Sequence, residues 1–272
     1  MPRVSVVVSH YERQALLVEA LDSIAEQSYR DFEIVVVNDA GADSEAVVRD
    51  VAARHPGLVV RYQRQPVNRG VAATRNAGVA LADGELIAYL DDDDLWRRRH
   101  LASLVGALDA HPDAALAYGD AEIWRMECDH APRVNEWRCA ARRTLAVPFD
   151  LDHLRRDDFV VPGGMLHRRS LYDAVGPFDE TLFVSDDWDW LLRAVAVTRF
   201  VRVAEVVVTV RIWSDRTNLS ADAGARRLHA LAEIERRHAT GRLEPKTFWE
   251  VAATYAAKHT RRDAARAEPP AP

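Results

Sequence analysis

The chain has 272 residues, of which 48% are hydrophobic and 29% charged, and its formal net charge is −6. A chain of this size suits one large domain or two small ones sharing a core. The acidic balance gives no global electrostatic case for nucleic acid or for an anionic membrane.

In chain order, Val4–Val8 is a continuous β-branched run, the mark of a strand buried on both faces. Residues 13–27 carry Leu16, Leu17, Ala20, Leu21 and Ile24 at helical spacing. Phe32–Val37 is a second buried strand, and Asp43–Arg54 a helix closed by His55-Pro56-Gly57. Leu58–Tyr62 is a third strand, residues 70–82 an Ala-rich helix, and Leu86–Leu90 a fourth strand. Strands alternating with helices of this length imply βαβ units and a mostly parallel sheet. A helix is expected at about 97–110, a strand at Ala114–Tyr118, and loops with mixed strands over 120–165, a common place for a variable substrate lid. Further on, the pattern predicts a strand near 160–167, a helix near 186–197, a strand at Phe200–Val210, and helices at 222–238 and 245–258. The end, 263–272, reads as a disordered tail.

The feature richest in chemistry is Tyr89-Leu90-Asp91-Asp92-Asp93-Asp94-Leu95-Trp96, where a buried strand runs into four carboxylates. In open parallel sheets ligands bind at the carboxyl ends of strands, so the position suits a site. Adjacent anions repel unless a cation or hydrogen-bond donors compensate, and hard oxygen ligands are what Mg²⁺ or Mn²⁺ takes. The plain alternative is a solvated acidic turn capping the next helix. Three other motifs fail. A dehalogenase-type phosphatase needs a different residue after its second aspartate, and an EF-hand needs a glycine at loop position six. A dinucleotide fold needs glycines after the first strand, where Ser9-His10-Tyr11-Glu12 stands instead.

Four segments in order, VSVVVSHYER, SIAEQSYRDFEIVVVNDAGADS, NRGVAATRNAGVALADGELIAYLDDDDLW and FDETLFVSDDWDWLLR, resemble the family 2 glycosyltransferases of GT-A fold from about residue 3 to 215. The resemblance implies an α/β GT-A fold with a Rossmann-like sheet. It divides the chain into a nucleotide-sugar-binding half (1–100), an acceptor-binding half (101–215) and a C-terminal helical extension (216–262). It also implies an enzyme that moves a sugar from a nucleotide-diphosphate donor, UDP-linked by default, to a hydroxyl acceptor with inversion. By position, Asp39 matches the aspartate that accepts a hydrogen bond from the base, and Ser9 and Tyr11 the loop that packs on it. Arg75 and Asn76 match a segment facing the nucleotide, with Arg75 pairing a phosphate or Asp92, or serving in a structural salt bridge. In the aspartate run Asp93 ligates Mn²⁺ or Mg²⁺, Asp92 lies near the ribose, Asp91 supports them, and Asp94 caps a helix.

The second acidic segment is Ser185-Asp186-Asp187-Trp188-Asp189-Trp190. Asp187 matches the general base that such a displacement needs, held ionised by the helix N-terminus; its plain reading is a helix N-cap. Asp186, Gly163, Gly164 and Trp188 are candidates for contacts with donor or acceptor, although large aromatics beside a helix start are more often core. Asp189 either binds acceptor or faces solvent, and His167 reads as structural.

The sequence also departs from the family pattern. Ser9-His10-Tyr11-Glu12 replaces the usual first loop, and Trp213 stands where many members carry a histidine that ligates the metal. These departures motivate a rival reading, a catalytically silent nucleotide-sugar-binding module. Arg226, Arg227, Arg236 and Arg237 read as a solvated basic face, with docking to a membrane or partner as the alternative. Cys128 and Cys139 lack zinc-ligand spacing and suit a reducing compartment, although a disulfide is conceivable. The N-terminus lacks the features of a signal peptide and no apolar run spans a membrane. A cytoplasmic location follows as the expectation, with peripheral attachment at the inner membrane face left open.

Overall fold

The computed structural model describes residues 1–127, 137–214 and 224–256. One curled, nine-stranded sheet organises them, in the order β3-β2-β1-β4-β8-β6-β9-β5, with β7 paired to β6. β1 (Val4–His10) and β2 (Phe32–Asn38) are buried along their whole length. With β3 (Val59–Arg64) and β4 (Leu86–Asp91) they form the parallel half, connected through α1 (Gln14–Ala25), α2 (Glu45–Arg54) and α3 (Val71–Leu81). The apolar runs of β1, β2 and β4 are explained by this arrangement, because helices cover both faces and each buried Val or Ile contributes roughly 1.5–3 kcal/mol. β3 is the edge strand. It begins one residue later than expected and extends to Arg64, and its mixed pattern, with Val59 54% exposed, reflects a strand covered on one side only. Close packing of α3 on β1 requires Gly78, since a Cβ there would lie 2.2 Å from Val7 Cγ1.

The second half is mixed. β8 (Met165–Arg168) runs antiparallel between β4 and β6 (Ala114–Glu127), and β6 pairs in parallel with β9 (Arg199–Trp213). β7 (Arg138–Leu145) pairs antiparallel with β6, so the irregular stretch expected over 120–165 contains a long two-stranded extension. Its polar alternation hides the strands from a search for apolar runs. A two-residue strand, β5 (Leu95–Trp96), pairs with β9 and delays α4 to His100–Ala110. The strand expected near 160–167 is confined to β8, because Pro162–Gly164 forms a single 3₁₀ turn ahead of it. After a short helix α5 (Leu151–Leu154) come α6 (Arg169–Val175), which the pattern did not suggest, and α7 (Asp186–Ala194).

α8 (Ala225–His238) and a helix over 248–256 complete the described chain. Leu231, Ile234, Val251, Ala252 and Tyr255 belong to the same hydrophobic core as the sheet. Lys246 Nζ pairs with buried Asp157 at 2.6 Å, and the Tyr255 hydroxyl donates to the same carboxylate. Among the described residues no helix is long and apolar enough to cross a membrane. The tail at 263–272 and Cys128, hence any disulfide from it, lie outside the described residues.

Candidate active site

A cavity of about 380 Å³ opens where the carboxyl ends of β1, β2 and β4 face the first turns of α7 and α8. The β4 end brings the aspartate run into this space, and the four carboxylates play unlike parts. Asp91, the last residue of β4, keeps a third of its side chain exposed and receives Arg75 Nη2 at 3.1 Å. Asp92 turns inward: its Oδ2 accepts from the Tyr11 backbone N–H (3.0 Å) and meets His10 Nδ1 at 2.7 Å. The other ring nitrogen of His10 reaches Ser44 Oγ at 2.8 Å, so a buried chain of polar groups locks the first loop onto the run. Asp93 is held by Arg13 and by the indole N–H of Trp213, which donates to Oδ2 at 3.2 Å. Asp94 Oδ1 accepts from the backbone N–H of Arg211 at 3.0 Å.

This geometry corrects the reading of the run as a solvated turn. Asp92, Asp93 and Asp94 are 2%, 5% and 7% exposed, so they are buried and need donors. Asp94 caps no helix, because β5 intervenes and α4 begins six residues later. Asp92, matched by position to a place near the ribose, is not among the residues that line the cavity, and its carboxylate is taken up by His10 and the Tyr11 amide. Arg75 pairs with Asp91 and with Asp186 (2.9 Å), not with Asp92. Burial and the neighbouring aspartates push Asp93 up to about 6 against the opposing pull of Arg13, and burial likewise raises Asp94.

Asp39 lines the same cavity. Its oxygens accept from the backbone N–H groups of Arg69 and Gly70, each at 2.8 Å, which anchors the turn into α3. Gly70, at φ 88°, supplies the left-handed conformation this turn needs. Tyr11 is 46% exposed on the cavity rim beside it, whereas Ser9 contributes through its carbonyl, which accepts from Asp92 N–H. Asn76 faces away, bonded to the Phe178 carbonyl and to Tyr172.

The second acidic segment opens α7. Ser185 adopts φ 60° and ψ 23°, and neither it nor an aspartate side chain caps the helix in the usual way; Asp187 Oδ1 accepts from Trp188 N–H at 3.0 Å. Arg75, 3% exposed, ties Asp186 to Asp91 and so joins the two acidic segments in one wall. Burial raises Asp186 to about 7, opposed by Arg75. Asp187 is also raised by burial, which reverses the expected lowering: here desolvation outweighs the helix terminus and Arg75. Asp158, buried and raised well above the carboxylate range, stands in the same wall, with Asp187 adding to the rise and Arg227 opposing it.

Other candidates fall elsewhere. Trp188 is 3% exposed and donates its indole N–H to the Leu154 carbonyl, so it belongs to the core and not to the cavity wall. Gly163 and Gly164 pack beneath the wall against Val208, and the lining residues there are Val161 and Pro162. Their small size serves packing: the Gly163 carbonyl accepts from Trp96. Asp189 neither faces solvent nor reaches the cavity; Arg193 and His238 hold it at 2.9 Å each. His167 is structural, buried among Tyr89, Tyr172 and Trp190. Arg226 and Arg227 are not simply a solvated face. Both line the cavity, Arg227 is 8% exposed, and Arg226 lies 4.1 Å over the Phe183 ring. Sequence reasoning passed over Arg13 and Asp158, and it read Arg226 and Arg227 as a basic face rather than as part of the cavity. The signal for Arg13 was its place just after β1, at the carboxyl edge of a parallel sheet; the others are brought in by long-range packing.

The sequence profile of glycosyl transferase family 2 matches residues 5–171. The chain is 34% identical over 246 residues to the glycosyltransferase YwdF of Bacillus subtilis, covering 90% of this chain and 88% of that one. It is 28% identical over 226 residues to a PGL/p-HBAD biosynthesis glycosyltransferase of Mycobacterium tuberculosis, covering 81% of each. The fold is similar to the S. aureus TarS 1–349 structure in complex with UDP-GlcNAc (TM-score 0.63, 17% identity, 86% of this chain and 66% of that one). It is also similar to the mannosyltransferase PcManGT of Pyrobaculum calidifontis in complex with GDP-Man and Mn²⁺ (TM-score 0.61, 24% identity, 98% and 76%). In a second TarS 1–349 structure this chain spans 60% of the solved length. The likeness to these solved structures is one of fold. The chain belongs to glycosyl transferase family 2, and it is a glycosyltransferase of GT-A fold.

Proposed function

We propose that the protein transfers a sugar, with inversion, from a nucleoside-diphosphate donor to a hydroxyl of a saccharide, lipid-linked or small-molecule acceptor, and that it uses Mn²⁺ or Mg²⁺. The observation that carries this reading is the Arg75 bridge. It places the end of β4 and the start of α7 on one cavity, so a donor held at Asp91 and Asp93 would present its sugar to Asp187. Tyr11 and Asp39 line the same cavity and suit a base. UDP is the default, supported by TarS complexes with UDP and UDP-GlcNAc, with GDP next because of PcManGT.

The residues present fit a divalent cation that is shared with a diphosphate. Asp91 and Asp93 offer hard carboxylate oxygens to the cavity, and burial, with a smaller push from Asp92 and Asp91, raises Asp93 to about 6, a cost to its charged form that a cation would relieve. Among the described residues no group of three or more His, Cys, Asp or Glu is placed to hold an ion alone. Trp213, at the position where the family pattern often has a histidine, donates its indole N–H to Asp93. When bound, the cation offsets charge developing on the leaving diphosphate. The chain's own part is to orient the donor and move the proton: Asp187 takes the acceptor hydroxyl proton, and its raised basicity serves that step.

A thermal-shift panel of UDP-, GDP- and dTDP-sugars, each with and without Mn²⁺, tests the proposal. Stabilisation by one nucleotide series that grows with Mn²⁺ is expected, since a ligand that binds only the folded state raises its melting temperature. No response to any donor would overturn it, and tight nucleotide binding without turnover across an acceptor panel would favour the silent binding module.

A further inference from the structure

Two side chains in the cavity wall hold a buried oxygen that no other described residue partners. Asp158 and Ser185 are each 9% exposed and line the cavity. Among the described residues no donor reaches Asp158 Oδ1 and no partner reaches Ser185 Oγ. Buried polar groups of this kind cost stability unless something else satisfies them. Ser185 adds a second cost, since its left-handed backbone at φ 60° is one that residues other than glycine rarely adopt. The β4 carboxylates nearby are each met by protein donors.

The chemistry of the pair narrows the ligand. Burial beside Asp187 keeps Asp158 protonated well above the ordinary carboxylate range, so it both donates and accepts, as does the Ser185 hydroxyl. An apolar group would leave both side chains unsatisfied. Hydroxyls match them. Both side chains line the cavity beside Asp187, where a donor held at Asp91 and Asp93 would present its sugar.

We propose that Asp158 and Ser185 form the subsite that holds hydroxyls of the transferred sugar beside Asp187; this rests on the donor reading above. Three variants of the full chain test it: Asp158→Asn, which keeps a donor and an acceptor, Asp158→Leu, which keeps neither, and Ser185→Ala. Without ligand, Asp158→Leu should melt roughly 2–4 °C higher than the parent, as expected when an unsatisfied group held for a ligand is removed. Calorimetry with UDP and GDP should give parental affinities for all variants. With UDP-GlcNAc and GDP-mannose, the affinity of Asp158→Leu should fall about ten-fold or more, that of Ser185→Ala about three-fold, and that of Asp158→Asn less. A lower melting temperature in Asp158→Leu would assign Asp158 a structural role and overturn the proposal. Parental discrimination between nucleotide and nucleotide sugar in Asp158→Leu would overturn the subsite alone. Failure of the parent to bind either nucleotide would overturn the donor reading, and the subsite with it.

Discussion

The two acidic walls of the cavity solve the same electrostatic problem differently. At the end of β4, Asp92, Asp93 and Asp94 are buried but met by His10, Tyr11 N–H, Arg13, Trp213 and Arg211 N–H. At the start of α7, Asp186 is held by Arg75, while Asp187 accepts from its neighbouring amide and Asp158 has an oxygen without a donor. A saturated cluster is rigid and pre-organised, and an undersatisfied one is paid for in stability and awaits a ligand. The first wall therefore suits gripping a donor, and the second suits work on the reacting sugar.

Breaking the second wall should have the largest kinetic effect. Asp187→Asn is expected to lower kcat by roughly 10²–10⁴-fold while leaving nucleotide affinity near parental, checked by steady-state kinetics beside calorimetry. Full activity, or lost nucleotide binding, would remove Asp187 from the role of base. Breaking the first wall should instead cost stability. Asp92→Ala leaves His10 and the Tyr11 amide buried without their acceptor, and urea unfolding should report a loss of roughly 2–4 kcal/mol.

The comparison sharpens further at Arg13. This guanidinium neutralises Asp93 and so competes with a cation for the same carboxylate. Arg13→Gln should raise affinity for Mn²⁺ in the absence of nucleotide by about ten-fold, equivalent to ~1.4 kcal/mol, as read by calorimetry; unchanged affinity would separate Asp93 from the metal. The smallest effect is on pH dependence. Asp93 and Asp186 have folded values raised to about 6 and about 7, above the ordinary value of 3.8. For an acid raised in this way, protonation stabilises the fold. That contribution is complete below the ordinary value and is lost as pH rises through about 6 to 7. The melting temperature should accordingly climb by a few degrees as pH falls from about 8 to about 5.5, and Mn²⁺ with nucleotide should flatten the trend by supplying the missing positive charge.

Much of the parallel half was legible in the sequence. The runs at Val4–Val8, Phe32–Val37 and Leu86–Leu90 mark doubly covered strands because only apolar residues survive burial on both faces. The mixed half was less so. β7 and the outer part of β6 alternate polar residues toward solvent, and β5 spans only two residues that exist as a strand because β9 pairs with them. In the site, the position of both acidic segments was readable, since each lies where an element begins or ends. The division of labour within them was not.

What the sequence by itself determined is therefore the scaffold and the address: the βαβ order, the aspartates at the carboxyl end of β4, and the acidic opening of α7. Tertiary structure alone decided which carboxylates face the cavity. Asp92 turns inward because His10 and the Tyr11 amide converge on it, whereas Asp94 lines the cavity with the Arg211 amide, more than a hundred residues away, on its Oδ1. Asp158 and Arg227 enter the site because α5, α7 and α8 pack on one core. Charge and hydrogen bonding act through space, so adjacency in sequence shows where the acids gather, while their roles follow from the donors that folding places around each one.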